Sequence, residues 1–461
     1  MPSAMLLEII MHKKTMTLAI LVAVLFLLGC TSGTQRTKEG DEKRQPIRTE
    51  VPERPAGQKD VLGLVAEKID TVRVGFIGLG MRGPGAVQRF THIPGTKIVA
   101  LCDKHGDRVE KAQGILERAG LPQAASYSGS EDAWKELCQR EDIDLVYIAT
   151  DWKHHVPMMV YAMKQGKHVA CEVPAAMNLD EIWEVVNTAE RTQKHCIQLE
   201  NCVYDFFELT TLNMAQQGLF GEVLHTEGAY IHNLSDFWDA YEGDWRMQFN
   251  REFRGDVYAT HGLGPAAQVL DIHRGDRMTT LVSMDTKPVN IPEYLIEKRG
   301  VDRDSAYLFA NGQNTMTMIR TEKGKTILIQ HDVASPRPYS RMYQVSGTKG
   351  FANKYPNQGY ALEEDMVPGE GMPDHENLSA HSYMPREVRD MLMDKYKHRI
   401  HRELEEKAKE VGGHGGMDFI MDYRLVYCLR NGLPLDMDVY DLAEWCCLGE
   451  LSRISMENNN S

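Results

Sequence analysis

Positive charge is scarce in this sequence: 52 Lys and Arg stand against 66 Asp and Glu, a formal net charge of −14 over 461 residues. A nucleic-acid surface needs a basic patch, so nucleic acid is excluded as the main partner and small molecules are expected instead. Cysteine pairs of the CxxC type are also missing among the nine cysteines. Neither a zinc site nor a disulfide framework is therefore signalled, and no metal is expected. Cys102, Cys138, Cys171, Cys196, Cys202, Cys428, Cys446 and Cys447 read by default as buried free thiols. Long hydrophobic runs are absent too. The apolar stretch Leu18 to Leu28 is shorter than the roughly 20 residues a spanning helix needs.

What that stretch does fit is the core of a signal peptide, preceded by His12-Lys13-Lys14. It ends in Leu27-Leu28-Gly29-Cys30, which resembles the lipobox of bacterial lipoproteins. The resemblance implies that residues 1–29 are removed and that Cys30 is lipidated. The chain would then sit in the cell envelope, at the periplasmic face or the cell surface, with the lipid anchor as its only membrane contact. Residues 30–70 read as a tether, since Thr31 to Asp60 is polar and has too little apolar surface to fold. The rest is long enough for two domains, and 42% apolar with 26% charged residues is ordinary for a globular protein.

Gly78-Leu79-Gly80-Met81-Arg82-Gly83 is a GxGxxG string, which alone is weak evidence. Its surroundings strengthen it. Val72 to Ile77 is a β-rich apolar run, and Gly85 to Phe90, after Pro84, opens a helix. The glycines thus fall at a strand-to-helix turn, where backbone N–H groups and the helix dipole meet a pyrophosphate. A second run, Lys97 to Leu101, ends at Cys102-Asp103, about twenty positions past the last glycine, where the carboxylate that accepts a ribose 2′-OH is expected. That carboxylate favours NAD, because it would repel the 2′-phosphate of NADP. Strand-like runs at Asp144 to Ala149 and His168 to Glu172 alternate with helical stretches at Asp107 to Ala119, Glu131 to Cys138 and Val156 to Lys164. The alternation implies a parallel sheet covered on both faces. Ligands in such sheets sit beyond the carboxyl ends of strands, where Trp152, His155, Glu172 and Asn201 fall.

Cys171-Glu172-Val173-Pro174 resembles the Glu-Lys-Pro signature of the glucose-fructose oxidoreductase and inositol dehydrogenase superfamily, with Val173 where that signature has its lysine. The lysine assists hydride chemistry at a sugar hydroxyl, so a plain sugar dehydrogenase becomes the less favoured reading. Downstream, Gly255 to Pro265, Asp271 to Arg277, Asp244-Trp245-Arg246, Ser340 to Gln344, Gly347 to Gly350 and Gly413 to Asp418 closely resemble glycoside hydrolase family 109, the NAD-dependent α-N-acetylgalactosaminidase-like enzymes. The resemblance runs from Val72 to the C-terminus.

It implies NAD bound by positions matching Met81-Arg82, Asp103, Trp152-Lys153-His154-His155, Glu172-Val173 and Asn201, beside the glycines Gly78, Gly80 and Gly83. It implies an amino sugar held by Tyr230, Arg246, Tyr258-Ala259-Thr260-His261 and Tyr343. One departure is Ala259, in a motif that reads Tyr-Pro-Thr-His in the family. His414, set among four glycines, either reaches the sugar or belongs to a bland glycine-rich connection.

Such enzymes depart from the usual carboxylate pair of glycosidases. The implied route oxidises the sugar at C3, removes the acidified C2 proton, expels the glycosidic oxygen from C1, adds water and reduces C3 again, so NAD is regenerated in each cycle. Groups with tunable proton affinity are needed, and His261 and Tyr258 are the catalytic candidates, although His261 could equally be structural. If Thr260 opens a helix, both side chains sit at its positive end.

The expected fold is α/β: a Rossmann domain over residues 71–201, then an α+β domain over 202–461 with an open, mainly antiparallel sheet and C-terminal helices. Sheet strands are expected at Glu222 to His232, Thr315 to Arg320, Lys325 to Asp332 and Arg341 to Val345, and one long helix at Arg386 to Val411. A glycan or glycoconjugate ending in N-acetylhexosamine is the expected partner, and a homodimer the expected oligomer. A sugar oxidoreductase of the same fold and a non-catalytic sugar-binding lipoprotein are the alternatives.

Overall fold

The computed structural model describes residues 46–369 and 378–460. The expected signal segment and Cys30 lie outside the described residues.

The first sheet contains β1 (Val72–Ile77), β2 (Thr96–Cys102), β3 (Ala125–Tyr127), β4 (Leu145–Ile148), β5 (His168–Cys171) and β6 (Cys196–Gln198). Its strands are joined by α1 (Gly83–Phe90), α2 (Gly106–Arg118), α3 (Ala133–Gln139), α4 (Trp152–Lys164) and α5 (Leu179–Thr192). Every pairing is parallel, in the order β3-β2-β1-β4-β5-β6. The strands are short and buried on both faces: all four residues of β4 and of β5 are buried, which is why they read as continuous apolar runs. The order reverses between β1 and β4, and this opens a crevice outside their carboxyl ends.

The second half comprises α6 (Phe206–Gln216), β7 (Val223–Ile231), α7 (Trp245–Glu252), α8 (Thr260–Val269), β8 (Met278–Asp285), α9 (Asn290–Arg299), β9 (Asn314–Thr321), β10 (Thr326–Asp332), β11 (Tyr343–Gly347), β12 (Gly350–Asn353) and β13 (Gly359–Leu362). It ends in α10 (Arg386–Lys395), α11 (Arg399–Val411), α12 (Met417–Asn431) and α13 (Val439–Glu457). The seven-stranded sheet has the order β13-β12-β11-β7-β10-β9-β8. Its pairings are antiparallel except β7 with β10, which run parallel. In β9, alternate residues are buried and exposed, the period of a sheet with one wet face. Helix α8 lies on the inner face, and Gly228 of β7 and Gly262 of α8 meet so closely that a Cβ on either would strike the other's backbone.

Three expectations need correction. Residues 54–70 are not a free tether: Arg54 Nε donates to Glu190 at 2.9 Å, Val61 is buried with its N–H on the Tyr440 hydroxyl at 3.1 Å, and the Ile69 N–H donates to the Leu429 carbonyl. One buried valine and an ion pair pin a segment that is otherwise polar. The stretch 386–411 is two helices, because the chain turns at Tyr396 to His398 and the His398 ring accepts the Ile400 N–H to start α11. The helix after β1 starts at Gly83, with Pro84 in its first turn, where the missing N–H costs nothing.

Candidate active site

The three glycines of the first turn serve different ends. Gly78 has φ +90°, and a Cβ there would lie 2.6 Å from the Ala149 carbonyl, so it lets β1 and β4 approach. A Cβ on Gly83 would run into the Gly78 carbonyl oxygen, which fixes how closely α1 packs on the turn. Gly80 faces open space, its hypothetical Cβ meeting only the tip of Arg108 at 3.6 Å. The backbone there is bare toward the crevice, as a pyrophosphate requires. Asp103, just past β2, accepts the Leu79 N–H at 2.8 Å and the His105 N–H at 2.9 Å, and it lines the crevice. These features fit a dinucleotide.

Trp152, Lys153, His154 and His155 form the first turn of α4, a turn earlier than the apolar pattern indicated. His154 is bonded to Asp151 at 2.8 Å. His155 is fully buried between the Pro174 and Thr150 carbonyls, and burial lowers its pKa in spite of those two acceptors. It braces the turn. Glu172 and Val173 follow β5, and Glu172 accepts from Arg82 at 3.2 Å. Arg82 also reaches Asp418 of α12 at 3.0 Å, and Asp418 in turn accepts from Asn201 at 2.5 Å and lies 3.0 Å from His414 Nδ1. Burial works against the Asp418 charge, but His414, Arg82 and Arg89 together hold its carboxyl well below the usual range. Met81, Arg82, Glu172 and Val173 line one cleft with Gly78, Gly80, Asp103 and residues 152–155, whereas Gly83 sits beneath it.

That cleft measures about 1080 Å³ and continues onto the second half of the chain, where Tyr241, Trp245, Arg246, Phe249 and Tyr258 close its far wall. Trp152 stacks on Tyr258 with ring centroids 5.7 Å apart and meets Trp245 and Phe249 edge-on at 5.0 Å. The Arg246 guanidinium lies among them, 4.8 Å from the Tyr258 ring and 5.2 Å from those of Trp152 and Tyr241. It donates to the Tyr241 hydroxyl at 2.6 Å, has no carboxylate partner among the described residues, and its Nε is buried without a hydrogen bond. A buried cation is kept there by π faces and phenol oxygens, with a donor to spare.

Behind Tyr258 lies His261 in the first turn of α8, its ring 5.0 Å from that of Tyr258 and 5.4 Å from that of Tyr230. Its Nδ1 is 2.6 Å from Oε1 of Glu200. Burial outweighs the pull of Glu200 and leaves the His261 pKa below the ordinary imidazole value. Burial raises and His261 lowers the Glu200 pKa, and the net is a carboxyl below its usual range. Burial thus opposes the charged form of each partner, and the short hydrogen bond between them opposes that burial. Tyr258 is pushed far up by burial and keeps its proton. Tyr230 meets the Tyr258 ring at 4.7 Å and bonds His232 at 2.9 Å. Ala259 and Thr260, both buried, form the start of α8.

Tyr343 is placed elsewhere. On β11 it lies in the core against Phe207 and the Tyr360 region, and burial raises its pKa; it is not among the residues that line the cleft. Its strand pairs Tyr343 with Gly228, so its ring points to the layer under the sheet. Arg341, two residues earlier, reaches the site instead: its Nη1 is 3.2 Å from Cys202 Sγ and 3.4 Å from Asn201 Oδ1. Glu200, Arg341 and the ring wall of Tyr241, Trp245 and Phe249 are absent from the expected set. The motif Asp244-Trp245-Arg246 was the signal for that wall. Glu200, Cys202 and His261 bring donor atoms within 4.8 Å of each other, but the Arg341 guanidinium already supplies the positive charge beside Cys202.

The C-terminal domain of glycosyl hydrolase 109 matches residues 204–461, and an NAD-binding Rossmann fold of an oxidoreductase family matches residues 72–199. The chain is 66% identical over 451 residues to glycosyl hydrolase family 109 protein 1 of Phocaeicola vulgatus, covering 98% of this chain and 95% of that protein. It is 68% identical over 416 residues to the family 109 protein of Porphyromonas gingivalis, covering 90% and 88%. Among solved structures, levoglucosan dehydrogenase in complex with NADH and levoglucosan matches with a TM-score of 0.61 at 16% identity, over 84% of this chain and 98% of that one. Scyllo-inositol dehydrogenase from Lactobacillus casei, with NAD(H) and scyllo-inositol, matches with a TM-score of 0.57 at 13% identity, over 85% and 98%. The first half is thus an NAD-binding Rossmann domain, and the likeness in fold extends across the second sheet.

Proposed function

The chain belongs to glycoside hydrolase family 109, and we propose that it removes terminal N-acetylhexosamine, above all α-linked N-acetylgalactosamine, by the redox-assisted elimination described above. The observation that carries this reading is the stack of Trp152 on Tyr258. Trp152 belongs to the nucleotide side and Tyr258 to the sugar side, so a sugar held at Tyr258 and His261 lies against the nucleotide cleft.

When bound, NAD supplies the oxidant for C3 and returns the same electrons at the end of the cycle. The chain's own groups handle protons and position. His261, neutral and with Nδ1–H given to Glu200, offers Nε2 to the C2 proton, which the neighbouring ketone has acidified. Tyr258, protonated across the working range, orients the sugar through its hydroxyl. Arg246 offers its spare donor to the oxygen on which negative charge collects as C2 loses its proton. Expulsion of the C1 oxygen and addition of water complete the cleavage.

A substrate carrying deuterium at C2 and turned over in ordinary water should yield product that has lost deuterium, without NADH accumulating. His261→Ala and Tyr258→Phe should each lower turnover by about 10²–10⁴-fold while bound NAD is retained. Full deuterium retention with near-normal turnover in both variants would overturn the mechanism.

We also propose that the mature chain begins at a lipidated Cys30, which would hold it at the cell envelope. The support is the short apolar run closing in Leu-Leu-Gly-Cys.

A further inference from the structure

The base proposed above has a silent partner. Glu200 follows β6, the last strand of the nucleotide-binding sheet, and His261 lies 61 residues on, in α8 of the second half. Glu200 is completely buried. Its Oε1 accepts from the Cys202 N–H at 3.0 Å and faces His261 Nδ1 at 2.6 Å, so the backbone that ends β6 aims the carboxylate at the ring. Nδ1 is thereby committed as the protonated nitrogen. Nε2, which has no hydrogen-bond partner among the described residues, is left as the acceptor, beside the Tyr230 and Tyr258 rings.

We propose that Glu200 is a positioning residue for His261: its buried carboxylate, aimed by the Cys202 N–H, selects the Nδ1–H tautomer and holds Nε2 toward the sugar. This rests on the reading of His261 as the base.

The charges facing His261 fix the sign of the consequence. Glu200 favours its protonation; Arg341, before β11, and His414, in the glycine loop, oppose it, as does burial. Tyr230 and Tyr258 face it as neutral phenols and Cys202 as a neutral thiol, all three held protonated by burial. Arg246 lies beyond Tyr258. Replacing Glu200 by glutamine removes the one group that raises the His261 pKa. The pKa must then fall, and the acidic limb of kcat/KM must move to lower pH. The tautomer is also released, so the plateau must fall, by roughly 10²–10⁴-fold if Nε2 becomes the protonated nitrogen in most molecules.

The test uses the NAD-loaded enzyme with ¹⁵N-labelled histidine. In the parent protein, the His261 resonances, assigned by their loss in His261→Ala, should show a protonated Nδ1 and a bare Nε2. In Glu200→Gln they should show the other tautomer or an exchanging mixture, with a lower pKa, and in Glu200→Asp the parent pattern should return in part, with partial recovery of turnover. An unchanged tautomer and pKa in Glu200→Gln, in a protein that retains NAD and its melting temperature, would overturn the proposal. If the tautomer is as stated but the parent enzyme cleaves no N-acetylhexosaminide, the functional reading fails while the positioning stands. Should Glu200→Gln not fold, Glu200→Asp alone decides: a proposal that is correct requires a displaced acidic limb, and an unaltered pH profile would sink it.

Discussion

Asp256 is a carboxyl with almost nothing to pair with. It is fully buried two residues before Tyr258, its Oδ1 has no hydrogen bond, and Oδ2 meets only the Thr317 hydroxyl at 3.5 Å. Burial pushes its pKa up to about 7, and burial does the same to Asp422 in spite of Arg89. In an unfolded chain such a group ionises near 4. Between the two values the native state holds a proton that the unfolded state has released, so stability falls as pH rises through that window and levels off above it. Asp256→Asn cannot ionise and should remove one of the two contributions, raising Tm at pH 8 by a few degrees while changing it little at pH 4. Parallel Tm curves for the two proteins from pH 4 to 8 would refute this. The same contrast of local and distant partners decides what could be read from the chain. Asp103 was legible because the covalent distance from the glycine turn sets its place at the end of the next strand. Glu200 was not, because the group that gives it meaning, His261, is brought to it only by the docking of α8. Tyr343 misled for the converse reason: Arg341, two residues ahead of it and just before β11, reaches Asn201 and Cys202, whereas Tyr343 opens the strand and lies in the core against Phe207.

At the scale of elements, the segment that carries α7 spans the nucleotide side of the cleft. Glu242, just ahead of α7, accepts from His105 at 2.8 Å and from Arg108 at 2.6 Å, both beside Asp103. The far side of the same segment is held by Arg299 of α9, which donates to Asp239 and Asp244. Residues 240–243 thus line the same cleft as Asp103, Lys104 and Arg108. Glu242 is about half exposed, and each of its pairs is worth roughly 0.2–1 kcal/mol at most. Glu242→Ala should therefore speed release of bound NAD by only about two- to five-fold, measured by trapping the nucleotide after dilution. An unaltered release rate would mean that these pairs do not latch the cleft. Strands β7, β9, β10 and β11 were legible from their alternation, and β12 and β13 were not, since four residues beside a glycine carry too little pattern. The break between α10 and α11 escaped for a related reason: charges continue across Tyr396 to His398, and only the cap geometry marks a new start.

Over the whole molecule, Rossmann order and a second open sheet were both foreseeable, because alternation of strand and helix leaves few other topologies. The packing of residues 54–70 onto the body was not, since it depends on one valine and on Glu190. If the proposed anchor at Cys30 holds, it stands little more than twenty residues ahead of the first contact at Arg54. Cys30→Ala should leave the protein soluble and unlabelled by metabolic lipid; labelling unaffected by the substitution would refute the anchor.

Helix α13 packs against α5 and β6 on the nucleotide side and against β8 of the second sheet. Asp418, in α12, holds both Arg82 and Asn201. A ribosome making this chain therefore finishes the strands of the nucleotide sheet by Gln198 but cannot finish their covering, or the charge contacts at the glycine turn, until α12 and α13, from Met417 onward, have emerged. The Rossmann half is continuous in sequence, yet part of its covering comes from α13 at the far end of the chain. The cleft's own lining ends at Tyr258, but the side chain that holds Arg82 at the glycine turn comes from α12, far along the chain.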